Sequence, residues 1–544
     1  MGSASPTTGS ATGSTYSAYL IRLTQSHSSF RRPELEALAI KAGVGLSFLS
    51  YDDNSPYCIV RISPKPPSDT TLVNDHDAVR SIVAQSILAK GVYELYAVAP
   101  TYEELHSQVR GLPAEIWQPF KHVSFKFLVD AFCGKRSIPE QREIIEGFSY
   151  LPLKGSISLK NPEEEFVVFE EWDLLTPEQH AALNIGTGFR VAQSLCNAEN
   201  IAEQDATAGD IAAAALISDR KPKRIFFTRY IGPSQRNLIV KHDLKKRPYI
   251  STTSMDAELA LITASLALAA PGKLFLDPFT GTGGFMIAAA ELGAVVLGSD
   301  IDGRSFRGKG TGLTKGIGAN LKRYKLTDRF GDCLTSDLTN TPFRLRGLDS
   351  SKSSRWLDGI ICDPPYGIRE GLKVLGRRLQ DPDEVKADGR VIHEGPYYVD
   401  GVASHTLPDF IAPKRPYSFD AMLSDILDFA TRTLVDCGRL AFWMPVANDS
   451  DEEFPVPIHP MLEIRHSCIQ VFNKWSRRLL VYERIPGEVS DDLAEQIKGL
   501  KVSQAAGRKA DELNQFRRMY FRGFHVEADS AVEKAGHSPE IQHG

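Results

Sequence analysis

Lys273-Leu-Phe-Leu-Asp277-Pro278-Phe279-Thr280-Gly281-Thr282-Gly283-Gly284-Phe285 reads as a strand that runs into a glycine-rich loop and opens a helix. Gly293 stops that helix, expected over residues 285–292, and residues 294–298 supply a second strand. The second strand ends in Ser299-Asp300-Ile301-Asp302, so the unit is β-loop-α-β with an acid at each strand tip. Loop glycines let a ligand approach the backbone closely, and a helix N-terminus favours a carboxylate. A nicotinamide site would carry G-x-G-x-x-G, but Met286 stands where the third glycine belongs. Asp277 is placed to hold an ammonium group and Asp300 to grip ribose hydroxyls, which suits an amino-acid-bearing nucleoside better than a pyrophosphate. These residues point to S-adenosyl-L-methionine.

A second motif, Asp363-Pro364-Pro365-Tyr366-Gly367, follows the apolar run at 357–362, which reads as a buried strand. Two prolines fix two φ angles, so the Asp363 carboxylate and the neighbouring carbonyls point in set directions, with the Tyr366 ring beside them. An acid, rigid carbonyl acceptors and a stacking ring can hold a flat nucleobase-like amine with its nitrogen facing an electrophile. A Pro-Pro turn with a surface aromatic would explain the same residues, and the upstream glycine loop favours the chemical reading.

D-P-F-x-G-T-G-G, G-S-D-I-D and D-P-P-Y-G-I-R-E, in this order, resemble the catalytic subunit of the eukaryotic tRNA guanosine N2-methyltransferases that act at position ten. Lys245-Lys246-Arg247-Pro248, Thr253-Ser254-Met255-Asp256-Ala257 and Thr335-Ser336-Asp337 match as well, so the resemblance runs from about residue 124 to 485. D-P-P-Y alone fits many amino-methyltransferases, whereas the ordered set is far more specific. The resemblance implies a Rossmann-like class I methyltransferase, an α/β fold with a doubly wound seven-stranded sheet. It implies cofactor contacts from Asp277, Pro278, Phe279, Gly281, Gly283, Asp300 and Ile301, with Thr253 and Ser254 bordering the methionine end. Asp337 would lie beside the adenine, although spacing alone serves Asp332 equally well. Asp363, Pro364, Pro365 and Tyr366 would be catalytic. A small zinc-binding activator subunit that covers apolar surface is also implied, forming a heterodimer with this chain.

The front of the chain is read as a tail (1–15), a ferredoxin-like module (16–112) and a THUMP-like, tRNA-binding α/β module (113–185). Residues 186–250 are read as a bridge, 251–486 as the methyltransferase domain and 487–544 as a charged tail. The first module is expected to run β-α-β-α-β, with helices at 33–42 and 75–90, and the second to hold a strand at 155–159. Lys221, Lys223, Arg224, Lys245, Lys246 and Arg247 are candidate phosphate contacts. Thr253 or Ser254 is expected to cap a helix at 256–270, and 376–417 shows no clear period, as a lid or insertion would.

With 544 residues and a net charge of −5, the chain has no global basic signature, so any RNA site must be a local patch. Its seven cysteines form no C-x-x-C pair, which argues against a metal site and a disulfide scaffold. The longest apolar helical run, 259–270, is too short to span a bilayer, and with no secretory signal a cytoplasmic, reducing setting is expected. Competing readings are a DNA adenine methyltransferase, which leaves the front half unexplained, and a protein-glutamine or ribosomal guanine methyltransferase, which more often carries Asn in place of Asp363. A non-catalytic RNA-binding subunit would not need the glycine loop and the acid together.

Overall fold

The computed structural model describes residues 18–64, 75–174, 221–308, 315–345, 355–368, 371–376, 398–407, 410, 413–447, 456–472, 475–487, 514 and 517. The 1–15 tail, most of the 186–250 bridge and residues 377–397 lie outside the described residues. The chain divides into two compact units, Met1–Arg236 and Asn237–Gly544.

In the first unit, β1 (Ala18–Leu23), β2 (Val44–Ser50), β3 (Tyr57–Pro64) and β4 (Ala89–Ala99) interleave with helices Ser28–Ala42 and Asp75–Val83. The order is β-α-β-β-α-β, the ferredoxin-like arrangement, with one strand more than the sequence suggested. The extra strand, β2, lies at a sheet edge and half-exposes a serine- and glycine-containing run, so its apolar alternation is weak. The second helix ends at Val83 rather than near 90 because the buried Glu34 carboxylate captures the chain just beyond it. Glu34 accepts from Ser86 Oγ at 2.6 Å, Ile87 N at 2.8 Å and Leu88 N at 3.0 Å.

Next come β5 (Phe125–Phe132), β6 (Glu164–Glu171) and β7 (Arg224–Pro233), and all seven strands form one sheet of order β2-β3-β1-β4-β7-β6-β5. Residues 224–233, expected within the bridge, are thus a central strand that joins the ferredoxin-like strands to β6 and β5. Ile225, Phe226 and Phe227 are fully buried there, which explains the run of large apolar residues. Residues 155–159 make only an isolated bridge, Phe125 to Ile157, rather than the expected strand. Ser137 and Glu140 form the expected capping box at the helix Ile138–Glu146.

The second unit is built on β8 (Leu274–Asp277), β9 (Val295–Asp300), β10 (Phe330–Thr335) and β11 (Leu357–Cys362). Short pairs follow: β12 (Lys373–Leu375) with β15 (Lys414–Pro416), and β13 (Tyr398–Val399) with β14 (Val402–Ala403). After β16 (Leu434–Ala447), the hairpin β17 (Leu462–Val471) and β18 (Trp475–Arg484) closes the fold. The sheet order is β10-β9-β8-β11-β16-β18-β17, parallel from β10 to β16 and antiparallel through β18 and β17. This is the seven-stranded, doubly wound order expected from the sequence. The helix Phe419–Thr433 lays Met422, Ile426, Leu427 and Ala430 onto a core with Leu276, Ile360 and Leu440. The helices Ala257–Leu266 and Gly284–Glu291 are apolar nearly all round and pack on each other, the former also against β16. Trp443 of β16 is 1% exposed and donates through Nε1 to Thr263 Oγ1 of that helix at 3.2 Å.

Strand order reverses between β8 and β11, so their carboxyl ends open a crevice. Asp277 ends β8, and Asp363 directly follows β11. Both motifs therefore meet at one place.

Candidate active site

A cavity of about 820 Å³ occupies this crevice, lined by Asp277–Thr282, Asp300–Asp302, Ser336–Leu338 and Asp363–Ile368, among others. Of the residues expected from sequence to touch a cofactor or to act in catalysis, all but Gly283 border it: Asp277, Pro278, Phe279, Gly281, Asp300, Ile301, Asp337, Thr253, Ser254, Asp363, Pro364, Pro365 and Tyr366. Gly283 itself lies behind the loop, where its φ of +80° opens the helix Gly284–Glu291. A Cβ there would come within 2.9 Å of Ile317 Cγ1, so the position requires glycine twice over.

The loop is drawn tight by side chains. Asp277 Oδ1 accepts from Phe279 N at 3.0 Å, and Thr280 Oγ1 donates to the Asp277 carbonyl at 2.8 Å. Asp300 Oδ2 accepts from Gly281 N at 2.9 Å while its Oδ1 accepts from Asp302 N at 2.8 Å, so it locks β9 to the loop. Ser254 Oγ lies 2.9 Å from Thr282 Oγ1, which ties the 251–255 turn to the loop. The helix cap here is Asp256, which accepts from Glu258 N at 2.8 Å; Thr253 and Ser254 are left to line the cavity.

Asp337 lines the cavity and Asp332 does not. Asp332 lies exposed on the edge strand β10, whereas Asp337 organises its own turn. Asp337 Oδ1 accepts from Thr339 N and Asn340 N, both at 2.8 Å, and Oδ2 accepts from Leu375 N.

Five aspartates line this space, and three of them, Asp277, Asp300 and Asp363, stand at the carboxyl ends of β8, β9 and β11. Burial pushes the Asp277 carboxyl well above its ordinary value, and the nearby Asp300 and Asp363 push it further. Burial likewise raises Asp300, against the pull of the two amides it accepts from. Such a cluster is offset by a ligand carrying positive charge, and a sulfonium nucleoside with an ammonium group meets that demand. The residues present fit S-adenosylmethionine.

On the opposite wall, the Tyr366 hydroxyl donates to Asp363 Oδ1 at 2.5 Å. Burial lifts the Asp363 carboxyl from its ordinary 3.8 to about 6, while this hydrogen bond and the Arg477 guanidinium pull it down. Tyr366 meets Trp475 edge to face, centroids 6.1 Å apart, and Trp475 and Arg477 both line the cavity. Arg477 is held by Gln470 Oε1, through Nε at 3.1 Å and Nη2 at 2.6 Å. Sequence reasoning identified the hairpin but neither of these residues. Their spacing of two on a strand, which puts them on one face, was the available signal.

The basic candidates separate. Lys245 and Lys246 are exposed, in the turn Leu244–Lys246, and Lys221 and Lys223 are exposed before β7. Arg247, by contrast, is only 6% exposed and lies behind Gly284, out of reach of a phosphate at the surface. Arg224 is committed to Glu171 at 2.5 Å and to Ser50 Oγ at 3.0 Å.

Over 467 residues the chain is 38% identical to the Saccharomyces cerevisiae protein named tRNA (guanine(10)-N(2))-methyltransferase, covering 85% of this chain and 92% of that one. The chain belongs to the tRNA (guanine(10)-N(2))-methyltransferase family. A second family member, from Schizosaccharomyces pombe, is 33% identical over 93% of this chain and 96% of its own length. Family models agree: residues 17–194 match the Tmrp11 THUMP N-terminal domain, and 245–327 match the RMKL-like methyltransferase domain. The solved structure of TrmN from Thermus thermophilus, 17% identical, aligns over 86% of this chain and 100% of that one at a TM-score of 0.35. The THUMP match spans the ferredoxin-like strands as well as β5 and β6, in keeping with the single sheet they form.

Proposed function

We propose that this chain methylates the exocyclic N2 amine of guanosine 10 in tRNA by direct in-line transfer, with Asp363 as the acceptor of the amine's N–H. The observation that carries the reading is the Asp363 carboxyl, fixed by the Tyr366 hydroxyl at 2.5 Å in the same cavity as the glycine loop. S-adenosylmethionine, when bound, supplies a methyl group on a sulfonium. Asp277, Asp300, Thr253, Ser254 and the loop at Gly281 would hold it, and Asp337 would border its adenine.

A guanine N2 is a poor nucleophile because its lone pair is delocalised into the ring. Asp363, with Oδ1 occupied by Tyr366, offers Oδ2 to one N–H, and the Pro364 carbonyl accepts the other. Both acceptors localise the lone pair and relieve the positive charge that grows on nitrogen, and the Asp363 carboxylate would take the proton that the methylated amine sheds. The Tyr366 ring supplies a face for the base, which must first leave its stack. Positioning supplies much of the rate.

The first unit would grip tRNA with Lys221 and Lys223 on phosphates, and Lys245 and Lys246 of the second unit would add phosphate contacts of their own. No helix among the described residues is long and apolar enough to cross a membrane, and a cytoplasmic setting suits the substrate. A small zinc-binding activator would cover apolar surface of the methyltransferase sheet. The edge strand β17 leaves Ile469 and Val471 exposed, two residues apart and so on one face, which supports such a partner.

The test is methyl transfer to tRNA transcripts carrying guanosine or inosine at position ten, with and without the activator. Inosine lacks only the 2-amino group, so label should enter the guanosine transcript alone. Equal labelling of both would refute N2 as the acceptor.

A further inference from the structure

Two residues of the charged tail, Asn514 and Arg517, touch the catalytic turn. Asn514 is 4% exposed and donates through Nδ2 to the Tyr366 carbonyl at 2.8 Å. Its Oδ1 accepts from Arg517 N at 3.0 Å, which ties the two residues together. Arg517 Nη1 then donates to the Gly367 carbonyl at 2.7 Å and to the Ile368 carbonyl. Three successive carbonyls of the acid-bearing loop are thus held by two side chains nearly 150 residues further along the chain. Gly367 has a φ of +72°, and a Cβ on it would stand 2.6 Å from Asn514 Nδ2. The glycine therefore serves both the turn and the approach of Asn514.

We propose that Asn514 and Arg517 form a clamp that positions the Asp363–Tyr366 turn for methyl transfer. Neither is a catalytic residue: both act on the backbone that carries Tyr366, whose hydroxyl fixes the Asp363 carboxylate. Without the clamp, the three carbonyls lose their donors and the turn between Pro365 and Ile368 gains freedom. A shift of about 1 Å in a reacting group can cost on the order of a hundredfold in rate. Cofactor binding depends on the opposite wall of the cavity and should be spared. The kinetic part of this proposal rests on the methyltransferase reading above, whereas the clamp's hold on the backbone does not.

The experiment compares the full chain with Asn514→Ala, Arg517→Ala, the double variant and Arg517→Lys, in complex with the activator where one is needed. Each is assayed by steady-state methyl transfer, cofactor titration and amide hydrogen exchange followed by mass spectrometry over residues 357–372. The clamp predicts faster exchange in that segment, with kcat down about tenfold in each alanine variant and about a hundredfold in the pair. Cofactor Kd and tRNA KM should stay within twofold, and Arg517→Lys should recover part of the rate by reaching one carbonyl. The acid limb of the pH–rate profile should also rise, because Asp363, beside Asp277 and Arg477, loses the full hold of the Tyr366 hydroxyl. Unchanged exchange in the double variant would overturn the clamp. So would a fall of kcat and melting temperature together with a raised KM and an unmoved acid limb, the mark of a merely structural tail. If exchange quickens while the wild-type chain labels no tRNA, the clamp stands and the functional reading fails.

Discussion

Replacing Asp363 by Asn should stabilise the protein while disabling it. Burial raises the Asp363 carboxyl from 3.8 to about 6, a shift of roughly two units. At about 1.4 kcal/mol per unit, keeping this group ionised costs the folded state about 3 kcal/mol above pH 7. An acid whose folded pKa is raised carries no penalty below its unfolded value. The penalty grows as pH rises through the window from about 4 to 6 and is complete above it. Asn is isosteric, keeps an acceptor for Tyr366 and removes the charge. Its variant should unfold about 5 °C higher at pH 8, with the gain cut to about half at pH 5. Methyl transfer should meanwhile fall on the order of a hundredfold or more, because a neutral amide relieves less of the charge on the amine nitrogen. Calorimetry at the two pH values and single-turnover labelling check both halves. A variant that melts no higher at pH 8, or whose gain is the same at pH 5, would refute the buried-charge account.

With the ionised carboxylate as the proposed acceptor, wild-type methyl transfer should rise with pH through about 6. Arg477→Gln removes a cation that lowers Asp363, so the acid limb should move up by about one unit in a pH–rate profile. Gly283→Ala forces a φ of +80° on a side chain and drives its Cβ against Ile317. At roughly 1–2 kcal/mol of backbone strain plus the clash, cofactor affinity should weaken tenfold or more by titration calorimetry. Ser137→Ala removes the capping box of Ile138–Glu146 and should cost about 1 kcal/mol, read as faster amide exchange in that helix alone.

What could be read from the sequence was local. Strand, glycine loop, helix and terminal acid are contiguous in 273–302, and Asp363 follows its strand directly, so both motifs declared themselves within a few residues. Doubly wound topology then brings β8 and β11 side by side, which is why two motifs more than 80 residues apart share a crevice. Trp475 and Arg477 reach the site only because β18 inserts antiparallel between β16 and β17, a long-range pairing that no short window displays. Arg247 misled for the opposite reason. It stands in a basic run beside two exposed lysines, yet its guanidinium turns inward behind the glycine loop. Charge density shows which residues are basic, not which way they face. Asn514 and Arg517 lie in a polar, charged stretch whose composition gives no hint of contacts with a turn far upstream.

The most direct measurement is nucleoside analysis of an unmodified tRNA transcript after incubation with S-adenosylmethionine and either wild-type protein or Asp363→Ala, with the activator present. The account predicts N2-methylguanosine at position ten with wild-type protein and a loss of a hundredfold or more in the variant. A methylated product on another base or atom, or equal product from the variant, would contradict it.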